Sequence, residues 1–237
     1  MNIDVVLHPA EISTSLLERD LSGVTCVVFD VLRATSSMIT GLSHGAREIY
    51  PVRTIEEARE LGLRKPGALL GGERLGEKIE GFDLGNSPLE YGEKVRGQVL
   101  ISTTTNGTVA LRACERAGRV LVGALLNLRA LVAVLQRDAP EELLVICAGT
   151  FANFALEDGY AAGRLIEEFK EARLSDAARL VLGLTRVYPE AGLALRAADN
   201  GRVLLGKGRE AEVEWCSQVS CCEVVGEMSS GVIRASV

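Results

Sequence analysis

Histidine is nearly absent from this chain: His8 and His44 are the only two among 237 residues. That scarcity argues against histidine-rich metal centres and against phosphohistidine chemistry. The six cysteines contain no Cys-x-x-Cys pair. Cys26, Cys114 and Cys147 sit in apolar or helical stretches, which predicts buried free thiols. Cys216, Cys221 and Cys222 have no histidine nearby and lack the spacing of a zinc site. Positive charge is short too: 26 Lys and Arg against 32 Asp and Glu leave a net charge of −6. Binding nucleic acid needs a basic surface, so no nucleic-acid partner is expected. A few local arginines remain free to hold a small phosphorylated ligand. No apolar run approaches the roughly 20 residues that span a bilayer. The opening Met-Asn-Ile-Asp-Val-Val-Leu-His is too short and too acidic for a signal peptide, so the expectation is a cytoplasmic protein with no membrane partner. No Pro/Gly/Ser-rich linker divides the chain.

What is there is ordinary in bulk, with 47% hydrophobic and 24% charged residues, and local in its information. Val24 to Phe29 reads as a buried strand, followed by Asp30-Val-Leu-Arg-Ala-Thr-Ser-Ser, a helix to about Ser43, and a strand from Glu48 to Val52. Residues 98–122 repeat the plan of strand, hydroxyl-rich turn, helix and strand. A shift of 72 residues sets Val27-Val28-Phe29 against Val99-Leu100-Ile101 and Ser36 against Thr108. The shared plan points to an internal duplication with halves at about 24–97 and 98–170 within a single domain over 1–237. A third unit starts at Glu142-Leu-Leu-Val-Ile-Cys-Ala and leads to a helix from about Glu157 to Glu171. Helical patterns also cover Thr54 to Leu61, Asn127 to Gln136 and Ser175 to Val187. This alternation predicts an α/β fold whose sheet, largely parallel or mixed, is covered on both faces. Ligands in such folds bind beyond the carboxyl ends of the strands. The Gly-rich stretch Lys65 to Asn86 reads as the longest irregular segment, too rich in charge to be a simple connector.

Four constellations carry chemistry. Within residues 98–108 an apolar strand signal ends abruptly, and the run Ser102-Thr-Thr-Thr-Asn-Gly-Thr108 that follows opens a helix and offers hydroxyls and backbone N–H groups to an anion such as phosphate. In Phe29–Ser37, Asp30 sits at a strand end, Arg33 is placed to grip an anion bidentately, and Thr35 and Ser36 cap and donate. In Gly71–Pro88, glycines allow close backbone approach, Glu73 and Asp83 are candidate ligands for a hard cation, and Asn86 and Ser87 are candidate donors. Glu157 and Asp158 are adjacent acids opening a helix, a pattern the helix dipole alone also favours. Oxygen ligands without histidine suit Mg²⁺, which keeps waters and bridges to phosphate. Together they read as a Mg²⁺-dependent enzyme acting on a small phosphorylated anion.

Familiar phosphatase chemistries fit poorly. Asp30-Val-Leu32 lacks the second acid of an Asp-x-Asp pair. The residue six beyond Cys147 is Asn153 and that beyond Cys114 is Val120, so no Cys-x5-Arg exists. No Arg-His-Gly occurs, and Gly206-Lys207-Gly208 is not a phosphate-binding P-loop. Metal-assisted attack by water, or an unfamiliar carboxylate nucleophile, remains.

Taken together, Phe-Asp-Val-Leu-Arg-Ala-Thr-Ser-Ser (29–37), Gly-Gly-Glu-Arg-Leu-Gly (71–76), Gly-Phe-Asp-Leu-Gly-Asn-Ser-Pro (81–88), Thr-Thr-Thr-Asn-Gly-Thr (103–108) and Leu-Glu-Asp (156–158) resemble the 2-phosphosulfolactate phosphatase family, in the family's order across residues 29–163. The resemblance implies a three-layer α/β/α fold and a Mg²⁺-dependent hydrolysis of (R)-2-phospho-3-sulfolactate to 3-sulfolactate and phosphate, a step of coenzyme M biosynthesis. The partner would be a small phosphorylated, sulfonated hydroxy acid, and a homo-oligomer is compatible with the sequence. The family's polar motif positions fall here on Asp30, Arg33, Thr35, Ser36, Glu73, Arg74, Asp83, Asn86, Ser87, Thr104, Thr105, Asn106, Glu157 and Asp158. In the resulting scheme, Asp30, Arg33, Glu73, Arg74 and Asp83 are catalytic. Mg²⁺ is held among Asp30, Glu73, Asp83, Glu157 and Asp158. The phosphoryl group lies on Thr104, Thr105, Asn106 and Gly107, and a second arginine meets the sulfonate or carboxylate. The chain departs from the family pattern at Thr150–Ala155, which is bulkier and more apolar, and lacks a proline near Glu223 to Met228. The alternatives are a phosphatase of other phosphorylated 2-hydroxy acids and a non-catalytic phospho-metabolite-binding protein.

Overall fold

The computed structural model describes residues 1–236, with Ser15 described by its backbone alone. Its strands are β1 (Asn2–Val6), β2 (Thr25–Phe29), β3 (Glu48–Pro51), β4 (Leu69–Arg74), β5 (Glu77–Lys78), β6 (Val99–Thr103), β7 (Arg119–Gly123), β8 (Glu142–Cys147), β9 (Arg173–Leu174), β10 (Val225–Ser229) and β11 (Val232–Ser236). They form one 11-stranded sheet in the order β5-β4-β6-β3-β11-β10-β7-β2-β8-β1-β9. Two parallel blocks, β4-β6-β3 and β7-β2-β8-β1-β9, flank the antiparallel β10–β11 hairpin. The hairpin pairs antiparallel with β7 on one side and with β3 on the other, so the sheet is mixed. The two strand–helix–strand units at 25–51 and 99–123 interleave, because β2 pairs with β7 and β3 with β6.

Successive side chains of a strand point to opposite faces, so a central strand feeds two cores at once. On β2, Val27 and Phe29 join Leu128, Leu131 and Leu165 on one face. Cys26 and Val28 meet Met38, Ile39 and Leu42 on the other. The helices Leu128–Asp138, Leu156–Ile166 and Asp176–Val187 cover the first face, while Ala34–Ser43 and Gly107–Ala113 cover the second. The result is the expected α/β/α layering. Local signals set several helix starts: Thr54 Oγ1 accepts the Glu57 N–H at 3.0 Å and Ser175 Oγ accepts that of Ala178 at 3.2 Å. The helix expected to reach Glu171 ends at Ile166, since the chain must turn to lay Arg173 and Leu174 beside β1. Cys26, Cys114 and Cys147 are buried free thiols. Among the described residues, no helix is long and apolar enough to cross a membrane.

The stretch Lys65–Asn86, which reads as irregular from its glycines, contains β4 and β5 and is irregular over the rest of its length. Glycine serves the pairing there. Gly72 has φ +148°, and a Cβ on it would lie 2.0 Å from the Thr103 carbonyl oxygen, so only glycine lets β4 approach β6 this closely. That approach carries Glu73 to the end of β6.

Candidate active site

Asp30 is the first residue beyond β2, and its turn is held by the hydroxyls that follow. The Asp30 N–H donates to Thr35 Oγ1 at 3.0 Å, and Thr35 Oγ1 lies 2.9 Å from the Asp30 carbonyl oxygen, to which it donates. Ser36 Oγ donates to the Val31 carbonyl at 2.7 Å. Asp30 Oδ1 accepts the Ala34 N–H at 3.0 Å. Thr35 and Ser36, read from sequence as substrate contacts, are therefore buried braces that fix the Asp30 carboxyl.

The turn after β6 does a related job. Thr104 and Thr108 cap one another: the Thr104 N–H donates to Thr108 Oγ1 at 3.0 Å and the Thr108 N–H to Thr104 Oγ1 at 3.1 Å. The Thr105 N–H donates to Glu73 Oε1 at 2.7 Å, and the Gly76 N–H to Glu73 Oε2 at 2.8 Å. The Gly107 N–H serves the Asp30 carboxyl. A Cβ on Gly107 would stand 2.5 Å from Asp30 Oδ2, so glycine is what admits that carboxyl. The backbone donors expected to cradle phosphate thus hold two of the protein's own carboxylates. Asn106 is committed as well: its amide donates to the carbonyls of Ala148 and Phe151 and accepts the Phe151 N–H, each at 3.0 Å. It ties the turn after β8 to the turn after β6.

These turns open on a cleft of about 210 Å³, the size for a small metabolite. Asp30, Glu73, Arg33, Asn86, Thr105 and Asn106 line one part of it, and Asn200, Lys207 and Arg209 another. Burial, followed by the charges of Glu73 and Glu157, raises the Asp30 pKa to about 7, against hydrogen bonds from Ala34 and Gly107 that pull it down. Arg33 is buried with Glu212, its Nη1 on Glu212 Oε2 and its Nη2 on the Gly76 carbonyl at 3.0 Å. Two of its five N–H groups are so engaged, and its head is fixed at the cleft wall.

The remaining sequence candidates lie around this centre. Asp158 is buried behind it, with Oδ1 on the Val31 N–H at 2.8 Å and Oδ2 on the Gly149 N–H at 2.9 Å; burial first, then Glu157 and Asp30, raises its pKa. Glu157 accepts from Asn200 Nδ2 at 2.7 Å, and burial raises its pKa too. Neither lines the cleft. Asp83 is exposed, accepts the Leu70 N–H at 2.9 Å and does not line the cleft. Arg74 reaches the Glu73 carbonyl at 2.7 Å, Thr103 Oγ1 at 2.9 Å and the Arg53 carbonyl at 3.3 Å, outside the lining. Ser87 is buried at the head of a short 3-10 turn, Pro88–Glu90. Sequence reading missed Glu212, Asn200, Lys207 and Arg209. Glu212 had a signal, since it shares a helix face with Cys216, four residues on and fully buried. The other three had none, because only the fold brings them to β2.

Among the described residues, no group of three or more His, Cys, Asp or Glu is arranged to hold a metal ion. Mg²⁺, however, needs only one or two carboxylates when waters and a substrate phosphate complete its shell. Glu73 fits that demand, because each of its oxygens carries one backbone N–H and keeps a lone pair. Asp30 shares the cleft, and the repulsion between the two carboxylates is what a dication would relieve.

A family model described as 2-phosphosulpholactate phosphatase matches residues 10–231. A protein of Thermotoga petrophila named probable 2-phosphosulfolactate phosphatase is 40% identical over 210 residues, covering 88% of this chain and 90% of that one. One of the same name from Carboxydothermus hydrogenoformans is 37% identical over 230 residues, covering 96% of this chain and 93% of its own. Another, from Deinococcus radiodurans, is 39% identical over 210 residues, covering 86% and 88%. With the match running from before β2 to the β10–β11 hairpin and taking in every turn of the cleft, the chain belongs to the 2-phosphosulfolactate phosphatase family.

Proposed function

We propose that this protein is a Mg²⁺-dependent phosphatase that hydrolyses (R)-2-phospho-3-sulfolactate to 3-sulfolactate and phosphate, a step of coenzyme M biosynthesis. The observation that carries the reading is the pairing of the Asp30 and Glu73 carboxyls, both fixed by backbone donors, in one small cleft of a chain from this family. Glu73 would hold the ion, with Asp30 beside it. When bound, the ion supplies positive charge against the phosphoryl oxygens and a more acidic water.

The chain's own groups do the rest. Arg33, held by Glu212, offers its remaining N–H groups to the phosphoryl oxygens, where negative charge is concentrated in the transition state. Thr105 and Asn86 border the same space with polar side chains. Asp30, a buried carboxyl on the cleft wall, is placed to take a proton from the attacking water and return it to the departing alkoxide oxygen. Glu157 and Asp158 act at one remove, holding Asn200 and the strand ends of β2 and β8.

The test is phosphate release from (R)-2-phospho-3-sulfolactate and from 2-phospholactate, each with Mg²⁺ and with EDTA. Release from the sulfonated compound that EDTA abolishes is the expected result. Equal release from both compounds would move the substrate to phosphorylated 2-hydroxy acids in general. Metal-dependent binding without release would make the protein a phospho-metabolite binder and end the phosphatase reading.

A further inference from the structure

Three cations line the cleft: Arg33, Lys207 and Arg209. They differ in what neutralises them. Arg33 and Glu212 form a buried one-to-one pair. Lys207 and Arg209 sit in the loop between the helices Asp199–Gly206 and Glu210–Cys216, and both converge on one carboxylate, Glu77. Lys207 Nζ lies 2.5 Å from Glu77 Oε1, and Arg209 Nη2 lies 3.0 Å from Glu77 Oε2. Two positive charges against one negative leave a positive surplus beside the cleft. The Glu77 side chain is 58% exposed and that of Lys207 40%, so this contact is hydrated and weak enough for another anion to replace. Arg74, the other arginine that the sequence offered for a second acid group, has its guanidinium on Glu73, Thr103 and Arg53 and does not line the cleft.

We propose that Lys207 and Arg209 form a second anion subsite, which binds the acid group of the substrate that is not transferred and for which Glu77 is the resident stand-in. The proposal rests on the phosphatase reading and names the residues that would set its specificity. An ammonium with rotatable donors beside a guanidinium fork suits a sulfonate, with three equivalent oxygens, and also serves a carboxylate. Because these cations approach from the C-terminal helices, the subsite adds to the strand-end residues without using their donors.

The double variant Lys207→Met/Arg209→Met tests it on three phosphate esters: 2-phosphosulfolactate, 2-phospholactate and isopropyl phosphate, which has no second acid group. KM should rise about tenfold or more for each substrate whose acid group is read, relative to isopropyl phosphate. A rise for the sulfonated ester alone assigns the sulfonate; a rise for both acids assigns the carboxylate. An equal change on all three esters would mean a general electrostatic effect and overturn the subsite. Calorimetric binding of 3-sulfolactate to wild type and variant runs alongside and needs no turnover. If wild type hydrolyses none of the esters, the phosphatase reading fails, while weaker binding of 3-sulfolactate by the variant still upholds the subsite. No binding to wild type, or equal binding to both proteins, overturns it. Glu77→Gln gives the opposite sign, since freeing the two cations should tighten 3-sulfolactate; an unchanged affinity would count against the stand-in role.

Discussion

The two walls of the cleft hold their charges in opposite ways. On the strand-end wall, Asp30, Glu73 and Arg33 are all below 10% exposed, and their heads are fixed by backbone donors, a backbone carbonyl or a buried partner. On the C-terminal wall, Lys207 and Arg209 meet Glu77 in contact with water. Burial makes a charge expensive to leave unpaired, so the first wall is rigid, and on it the Asp30 carboxyl has a raised proton affinity. Exposure makes pairing cheap to exchange, so the second wall can accept an incoming anion. Chemistry needs the first property and substrate discrimination the second.

The largest break in this contrast should come from Asp30→Asn. It keeps the shape of the turn and removes the proton acceptor, so kcat should fall by roughly 10²–10⁴-fold. Stability should move the other way. The folded-state pKa is raised from 3.8 to about 7, so between about pH 4 and pH 7 the native state binds more protons than the unfolded chain. Wild type therefore loses stability relative to the variant as pH rises through that window, and the gap levels off above it. Thermal melts in EDTA from pH 4 to pH 8 check the sign. Adding Mg²⁺ should narrow the gap most at the alkaline end, where both carboxylates are ionised.

Next in size is the buried pair. Glu212→Ala leaves the Arg33 guanidinium charged, buried and unpaired, which costs about 3–5 kcal/mol. Urea unfolding measures this. Arg33→Met/Glu212→Leu should recover most of the stability and none of the activity, which separates the structural role of Glu212 from the chemical role of Arg33. Lys207→Met, on the exposed wall, should cost less than about 1 kcal/mol in the same assay.

Gly107→Ala tests placement rather than identity. The new methyl would stand 2.5 Å from Asp30 Oδ2 and 2.6 Å from Ala34 Cβ, so either it or the Asp30 turn must move. A displacement near 1 Å is worth about 10²-fold in rate. The loss should appear in kcat, and the Asp30-dependent slope of stability against pH should shift with it.

How much of this was legible depends on whether a residue's meaning is local. β2 and β6 could be read because each is a buried apolar run that ends in hydroxyl side chains, and the helices Ile55–Arg64 and Asp176–Val187 because Thr54 and Ser175 mark their starts. β4 could not, since Gly71, Gly72 and Glu73 break the alternation and its strand character comes from pairing with β6. Asp30 and Glu73 were visible as acids at turns, but nothing local showed that the backbone donors beside them would be aimed at these carboxylates. The polar residues Thr35, Ser36 and Thr104 read as facing substrate and instead hold the turns that face it, while Asn106 does both, lining the cleft and tying two of its turns together. A hydroxyl has the same signature in sequence whether it points at a ligand or at its own backbone.

Asp83 gives the smallest expected effect and the sharpest division between sequence and geometry. Its motif, Gly-Phe-Asp-Leu-Gly-Asn-Ser-Pro, places it among the catalytic acids, yet its carboxylate is exposed and takes the Leu70 N–H at 2.9 Å. The same segment sends Asn86 into the cleft. In that arrangement the acid secures the loop to β4, and the asparagine is the member that meets substrate space. Asp83→Asn keeps an oxygen for the Leu70 N–H, so kcat and Mg²⁺ dependence should change by less than about threefold, with a stability loss of about 1 kcal/mol or less. Asn86→Ala should raise KM by more than that. A loss of Mg²⁺ dependence in Asp83→Asn would mean that this loop swings inward on binding, and that the exposed position of Asp83 is only one of its two states.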